Sequence, residues 1–394
     1  MNTNKIIHDY LEDNDWRVKE NANMSLSISG LEGYVIQHIN ADYALKNIFN
    51  EQEAKAHKDC DLHIHDLGSG GMKNYCLGVG LEEFLFYGLD DLDGCAKHFT
   101  TALRHIENFT FAVSQEIAGA VAWNDFDVYL APYIKNDKLT YKEVKQAIQQ
   151  FIFTINYKYR IGYQCPFTNV QLAIMIPKRL QGKKAMIGKE AMDFTYDDCL
   201  EEAEMITKAM LEVLLESKRP LAFPVINIGV TKKYLDEYWN TDLNNLITRS
   251  IAELGQPTIN NYVNGYYDPD TVRSMCCSIR LDFSELQKQS GGQFGASDNS
   301  GSVCVVTLNL PRIAYEARLI GDHDEVETMK VFQKILDKRL ELAKSIILKK
   351  RQFIEDLMSK GYYPNLNRFI DNFANFFNTI GIIGLNEMCM NYLG

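Results

Sequence analysis

The sequence has no CxxC pair, although it contains nine cysteines among 394 residues. The absence of such pairs excludes the usual zinc-ribbon and thioredoxin-type sites. Scattered thiols of this kind are normally reduced and buried as small hydrophobic residues. A catalytic role for any one cysteine therefore needs support from its own sequence neighbourhood.

Long hydrophobic runs and an excess of basic charge are also absent. No apolar run reaches the about 18 residues that a membrane helix requires, and the N-terminus lacks the basic start and apolar stretch of a signal peptide. With 41 basic and 52 acidic residues, the formal net charge is -11. Such a balance argues against broad nucleic-acid binding. We therefore expect a cytoplasmic protein with neither membrane nor nucleic acid as a partner.

The rest of the composition is that of a folded globular protein, with 46% hydrophobic and 24% charged residues. Helical periodicity predicts helices over residues 97–123, 141–157, 199–216 and 325–360. Short apolar segments predict strands at 172–176, 222–228 and 303–310. Strands that alternate with long helices indicate an α/β fold with a largely parallel sheet. Periodicity does not distinguish an open sheet from a barrel.

The first segment whose side chains could form a functional site is the run DLHIHDLG at 61–68. Residues two apart in a strand share a face, so His63 and His65 can converge on one site. A metal site would need at least one more ligand, and the alternative is a polar strand end held by hydrogen bonds to the backbone. We predict no metal here.

The second segment is RSMCCSIRLD at 273–282. Adjacent side chains of an extended chain project in different directions. One of the two thiols, Cys276 or Cys277, is therefore expected to point into a cavity while the other packs behind it. The glycine-rich polar stretch 290–302 that follows is typical of an exposed or active-site-lining loop.

The third segment is NTIGIIGLNE at 378–387. A turn at Thr379 and Gly381 before a possible helix start would offer backbone N–H groups to a phosphate. The alternative is that Thr379 only caps the helix. None of the three segments is decisive by itself.

Together with further motifs, these segments form a collinear series that is recognisable as a family pattern. The series is DWRVKENANM at 15–24, KAHKDCDLHIHDLG at 55–68, NYCLG at 74–78, QEIAGAVAWNDFDVYLAPYI at 115–134, QCPFTNV at 164–170, RSMCCSIRLD at 273–282, GSVCVVTLNLPRIAYE at 301–316 and NTIGIIGLNEMCMNYLG at 378–394. It closely resembles the catalytic core of the anaerobic (class III) ribonucleoside-triphosphate reductases, which are glycyl-radical enzymes. The resemblance runs from about Asp9 onward.

The resemblance implies a ten-stranded α/β barrel of the ribonucleotide reductase and glycyl-radical type. We expect residues 1–394 to form a single catalytic-core portion of an incomplete barrel, without the last strands. The N-terminal ATP-cone, the four-cysteine zinc site and the Arg-Val-x-Gly-Tyr radical segment of the family have no counterpart in this sequence. A glycyl radical would then have to come from a separate portion.

The resemblance also implies residue roles in the reduction of ribonucleoside triphosphates to 2′-deoxyribonucleoside triphosphates. Cys277 is the thiyl candidate, with Cys276 the less favoured choice, and Cys76 is the reducing cysteine on the opposite wall. Ser278 follows them where arginine is common in the family. The expected substrate contacts are Ser302, Asn309 and Glu387, with Thr379 and Gly381 as triphosphate binders and His63 and His65 behind the cavity. For Asn309 the alternative is a buried amide at a strand end.

The implied partners follow from the same resemblance. We expect no cofactor bound by this chain, a glycyl radical supplied in trans by a C-terminal radical half or a full-length reductase, and an iron–sulfur S-adenosylmethionine activase. Formate or a dithiol would be the reductant, ATP and deoxynucleoside triphosphates the allosteric effectors, and a homodimer the assembly. The alternative function is a non-catalytic nucleotide-binding remnant or regulatory partner of a full-length reductase.

Overall fold

A computed structural model describes residues 3–12, 18, 26–89, 94–265, 270, 272–274, 280–282, 299–322 and 324–393. The described helices are α1 (Thr3–Leu11), α2 (Ile28–Asn47), α3 (Glu51–Lys58), α4 (Leu81–Tyr87), α5 (Phe99–Val113), α6 (Phe126–Asp137), α7 (Tyr141–Ile155), α8 (Leu200–Glu216), α9 (Lys232–Tyr238), α10 (Asp242–Leu254), α11 (Leu310–Ile320), α12 (Glu325–Ser359) and α13 (Leu385–Leu393). None of them combines the length and the hydropathy of a membrane span.

The described strands alternate with these helices. They are β1 (Leu62–Ile64), β2 (Cys76–Val79), β3 (Val121–Trp123), β4 (Thr168–Leu172), β5 (Lys184–Ile187), β6 (Glu190–Thr195), β7 (Val225–Val230), β8 (Thr258–Asn261), β9 (Val272–Ser274), β10 (Arg280–Asp282), β11 (Ser300–Asn309) and β12 (Phe376–Ile383). β5 pairs with β6 and β9 with β10 in two small antiparallel sheets apart from the main one.

Eight of the described strands form the main sheet, which has mixed pairing. Its order is β1-β11-β2-β3-β4-β7-β8, and β12 pairs with β11. The five strands β2, β3, β4, β7 and β8 are mutually parallel. β11 runs antiparallel to β2 and parallel to β12. Two groups of strands of opposite direction therefore meet where β11 lies beside β2, and this junction positions the candidate site.

Three of the four predicted helices and two of the three predicted strands are confirmed to within a few residues. The predicted helix 97–123 is wrong at its end, because α5 stops at Val113 and residues 121–123 form β3. The carboxylate of Glu116 in the intervening segment accepts hydrogen bonds from the backbone N–H groups of Asn365 and Leu366, at 2.9 and 2.8 Å. This tertiary contact and the strand pairing of β3 override the helical pattern.

The strand predicted at 172–176 is also displaced, since β4 covers 168–172. Both carboxylate oxygens of the buried Asp127 accept hydrogen bonds from the N–H groups of Ala173 and Ile174, at 2.9 and 2.8 Å. Ile174 has a φ of 65°. These backbone groups are bound by a side chain instead of a neighbouring strand, so the sheet ends before them.

The two faces of the sheet differ in chemistry. The outer face packs against helices in a large apolar cluster that includes Val121, Trp123, Val170, Ile226 and Ile228. A second cluster joins the long helix α12 to the same side of β1 and β11. The opposite, inner face carries the alternate residues of the same strands. It is this face on which most of the predicted site residues lie.

Candidate active site on the inner face of the sheet

Cys76 is the first residue of β2 and lies at the junction between the two groups of strands. Its register partner in β11 is Ser302. Its side chain is 2% exposed and packs with Ala120, Ala122 and the ring of Phe167. Side chains opposite each other in an antiparallel pair are in reach of one another. The fold therefore brings Cys76 and Ser302, two of the predicted site residues, side by side.

Polar atoms without partners surround this cysteine. The buried Ser302 Oγ and Asn74 Oδ1 have no hydrogen-bond partner among the described residues. Buried polar groups are normally satisfied, so such exceptions indicate a position where a ligand or water binds. Burial, and then the guanidinium of Arg160, lower the pKa of Lys73 to about 8. Arg160 interacts electrostatically with both Lys73 and Cys76, so buried polar and charged groups lie close to this cysteine.

His63 and His65 lie together on the inner face, as their spacing predicts. Their ring centroids are 4.8 Å apart, and His57 lies 5.4 Å from His63. Burial lowers the pKa of His57 to about 4, with a further contribution from His63, and burial also lowers the pKa of His65. His65 Nε2 is 2.8 Å from Thr307 Oγ1. In the part of the chain that the structure describes, no group of acidic, histidine and cysteine side chains is arranged to hold a metal.

Thr379 and Gly381 lie in strand β12, so the predicted turn at these residues is wrong. They pair with Val305 and Thr307 of β11. The surrounding β-branched residues favour a strand, and the helix begins only at Leu385. A Cβ on Gly381 would lie 2.7 Å from Thr307 Oγ1, which is closer than real contacts allow. Gly381 thus leaves room for the threonine that contacts His65.

The other two predicted contact residues lie away from the cysteine. Asn309 is the N-cap of α11, where its Oδ1 accepts a hydrogen bond from Arg312 N at 3.3 Å and its Nδ2 donates to Cys60 O at 3.0 Å. Both ends of the amide are engaged, which favours the structural alternative. Glu387 is exposed on the first turn of α13.

Cys276 and Cys277, the two candidates for the thiyl residue, lie outside the described residues.

Sequence reasoning missed a series of amide side chains on the inner face. Asn169 Nδ2 donates to Val225 O at 2.8 Å and to Asn227 Oδ1, and Asn227 Nδ2 donates to Thr258 Oγ1. The series crosses from β4 over β7 to β8, and both asparagines are fully buried. The alternation of polar and apolar residues in TNVQL at 168–172 was the available signal. These residues make the inner face polar well beyond Cys76.

Comparisons with known proteins bear directly on this arrangement. The family model described as anaerobic ribonucleoside-triphosphate reductase matches residues 20–394. The anaerobic ribonucleoside-triphosphate reductases of Salmonella typhimurium and Escherichia coli are each 24% identical over 363 residues, which cover 84% of this chain. The aligned part is 46% of the length of each relative, so the chain spans about half of these proteins.

Solved structures show the same fold. The anaerobic ribonucleotide reductase of Thermotoga maritima in complex with dATP and CTP superimposes with a TM-score of 0.74 at 20% identity, over 98% of this chain and 65% of that one. The same enzyme with citrate in the active site gives a TM-score of 0.70 at 22% identity, over 99% of this chain and 71% of that one. The predicted fold class, an incomplete α/β barrel, is confirmed. Because the family model matches nearly the whole sequence, the chain belongs to the anaerobic ribonucleoside-triphosphate reductase family, which is a family of enzymes.

Proposed function

We propose that this chain carries the nucleotide-reducing site of an anaerobic ribonucleoside-triphosphate reductase and works by thiyl-radical chemistry. The observation that supports this most directly is the buried Cys76 on the inner face, beside the hydroxyl of Ser302, for which the described residues offer no hydrogen-bond partner. A thiol in a closed polar cavity can donate a proton or hydrogen to a substrate while water is excluded. Cys277 is the proposed thiyl residue, with Cys276 the less favoured choice.

In the proposed cycle, the Cys277 thiyl takes the 3′-hydrogen of the ribose, which leaves a carbon radical at C3′ and a cysteine thiol. The 2′-hydroxyl then departs as water with a proton from Cys76. The 3′-hydroxyl loses its proton in the same step, which leaves a 3′-keto radical at C2′. Formate, which is oxidised to carbon dioxide, or a dithiol, which becomes a disulfide, then supplies two electrons. One electron and a proton form the new C2′–H bond, the other electron and a proton restore the 3′-hydroxyl with the radical at C3′, and Cys76 is reprotonated. Cys277 finally returns hydrogen to C3′, so the thiyl is available for the next turnover.

The proposed substrate contacts on the inner face are Ser302, Thr379 and Gly381. Ser302 would bind the ribose, because its hydroxyl is buried and unpartnered beside Cys76. Thr379 and Gly381 would approach the triphosphate from β12, on the same side as Thr307. His63 and His65 stand behind this surface, where His65 contacts Thr307 and His63 packs against the ring of His65. Glu387 is a weaker candidate because it is exposed on the first turn of α13.

We further propose that a separate glycyl-radical portion completes the barrel at β12. Within the described part of the sheet, β12 pairs only with β11, and Ile380, Ile382 and Ile383 on it are 40 to 62% exposed. An edge strand with exposed apolar side chains is a template for pairing with another strand. The proposed partners also include an iron–sulfur S-adenosylmethionine activase and a second copy of this chain, with ATP and deoxynucleoside triphosphates as effectors in the cytoplasm.

The deciding experiment is anaerobic turnover of a ribonucleoside triphosphate. The chain is mixed with a purified glycyl-radical portion of a relative and an activase, and deoxynucleotide formation is measured with formate or with a dithiol. We expect product from the wild type and none from Cys76→Ala or Cys277→Ala. Cys304→Ala is the matched control, because Cys304 is equally buried but lies in the cluster on the outer face of β11.

Absence of product from the wild type, with a radical demonstrated on the partner, would contradict the proposal. Nucleotide binding without turnover would then favour a regulatory role. Turnover that survives Cys76→Ala would contradict only the role of this cysteine.

A further inference from the structure

The loop before β3 covers the thiol of Cys76 from one side. Ala120 N–H donates to Cys76 Sγ at 3.5 Å, and a Cβ on Gly119 would lie 2.6 Å from the same sulfur. Ala118 N donates to Asn74 O at 2.8 Å, and Gly119 N donates to Tyr75 O. The backbone of 118–120 is therefore fitted against 74–76, and its orientation decides whether an N–H group points at the sulfur.

Two backbone carbonyls of this loop accept hydrogen bonds from one side chain. Arg160 Nη2 donates to Ile117 O at 3.0 Å and also to Ala118 O. A hydrogen bond from a charged donor is about twice as strong as one between neutral groups. Because a peptide plane carries its carbonyl and the next N–H on opposite edges, fixing the carbonyls of 117 and 118 fixes the N–H groups of 118 and 119 toward the strand of Cys76.

Arg160 is itself held in place from two directions. Its backbone forms an antiparallel bridge with Gln164, with N–O distances of 2.9 and 3.3 Å. Its guanidinium carbon lies 4.7 Å from the centre of the Phe167 ring, and Phe167 packs against Cys76. A guanidinium over an aromatic face gains a cation–π attraction. Burial lowers the pKa of Arg160, whereas the nearby Asp66 and Cys76 favour its charged form.

We propose that Arg160 is a positioning residue for Cys76. It holds the N–H groups of Ala118 and Gly119 on Asn74 O and Tyr75 O, and this keeps the next peptide in place, whose Ala120 N–H points at the sulfur. The importance of Cys76 for turnover rests on the proposed function, but the positioning itself does not. Neither the cysteine motif nor the sequence around 160 contains a signal for this contact, because the two segments meet only in the folded chain.

Hydrogen exchange and thiol alkylation of the purified chain test the positioning without any turnover. In Arg160→Gln we expect the peptide that covers 117–121 to exchange about tenfold faster, because two charge-assisted hydrogen bonds are lost. Alkylation of Cys76 should accelerate by a similar factor as the loop uncovers the sulfur. Arg160→Lys keeps the charge without the planar fork and should restore part of both effects.

The control is Arg351→Gln. Arg351 also donates to two backbone carbonyls, but these belong to Phe373 and Phe376 and not to the 117–120 loop. It should speed exchange around 373–376 and leave 117–121 unchanged. The buried Cys199 and Cys304 serve as internal references in every variant.

Unchanged or slower alkylation of Cys76 in Arg160→Gln would overturn the proposal. Simultaneous acceleration at Cys76, Cys199 and Cys304 would also overturn it, since that pattern means general loosening of the fold. If the turnover assay succeeds, we also expect Arg160→Gln to lower kcat with little change in KM. Failure of turnover in the wild type would leave the exchange and alkylation result intact, so the two proposals fail separately.

Discussion

On β4, Val170 and Leu172 are fully buried against the helical layer, whereas Asn169 and Gln171 face the other way into a polar surface. The same contrast holds on β3, where Trp123 packs outward and Ala122 lies beside Cys76. The period of two along a strand produces both faces from one short segment. The comparison shows that the outer face supplies stability, while the inner face keeps buried polar groups that a purely structural sheet would not need.

The largest effect is expected from removing the main aromatic side chain of the outer face. Trp123 is fully buried, with the rings of Phe84 and Phe109 at 5.1 and 5.8 Å, and its Nε1 donates to Thr110 Oγ1 at 3.2 Å. Trp123→Ala should lower the free energy of unfolding by about 3–5 kcal/mol. Denaturant titration measures this change. Trp123→Phe keeps an aromatic ring at this position, so it should lower the free energy of unfolding by less than Trp123→Ala does.

The control for this prediction is Trp239→Ala, because Trp239 is 60% exposed. Its effect should stay within about 0.5 kcal/mol. Equal losses at the two tryptophans would contradict the assignment of stability to the outer face.

A smaller effect is expected on the inner face. Asn169→Leu removes the donor from Val225 O and from the buried Asn227 Oδ1, which should cost about 1–3 kcal/mol. The double variant Asn169→Leu with Asn227→Leu should lower the free energy of unfolding by less than the sum of the two single changes. Each single change leaves the other amide buried without its hydrogen-bond partner, whereas the double change removes both amides. A double-mutant cycle by denaturant titration gives the coupling, and strict additivity would argue that the series is not a network.

Buried carboxyls also occur in the helical layer, and Glu107 gives the stability of this layer a pH dependence. Glu107 is 2% exposed, and burial raises its pKa to about 7 despite the hydrogen bond of 2.6 Å from Arg104. The pKa is raised above the unfolded value, so this group's stabilising effect is complete below about pH 4.5 and is lost as the pH rises through 7. Glu107→Gln should therefore gain about 1–2 kcal/mol over wild type at pH 8.

That gain should disappear at pH 4, where both folded and unfolded wild type carry a protonated carboxyl. Thermal unfolding at the two pH values compares the variants directly. A gain of equal size at both values would point to better packing and would contradict the electrostatic cause.

The smallest change in stability is expected at β12, where the outer face is uncovered. Ile382 pairs with Leu308 and is 59% exposed, so Ile382→Lys should alter the unfolding free energy by about 0.5 kcal/mol or less. If a radical-bearing portion docks on this strand, the same variant should abolish turnover in the mixed assay. A loss of stability as large as that of Trp123→Ala would show that the strand is already packed within this chain.

Local patterns in the sequence were sufficient for the long helices α7, α8 and α12 and for the strand β11. The three helices show a regular hydrophobic period, and the strand is a nearly continuous run of β-branched residues. Among the described residues, no long-range contact opposes these local patterns. The pairing of His63 with His65 followed from strand geometry in the same way. The collinear motifs also identified the family, which the family model confirms.

The folded structure decided the rest, because the deciding contacts join residues far apart in the chain. Asn365 and Leu366 hold Glu116 and end the helical pattern, and Asp127 ends β4 at Leu172. The neighbours of Cys76 come from β11, from the loop before β3 and from Phe167. The sequence by itself gives the number and positions of the thiols. The packing of the sheet decides that Ser302 and Arg160 lie near Cys76, because these residues come from segments that meet only in the folded chain.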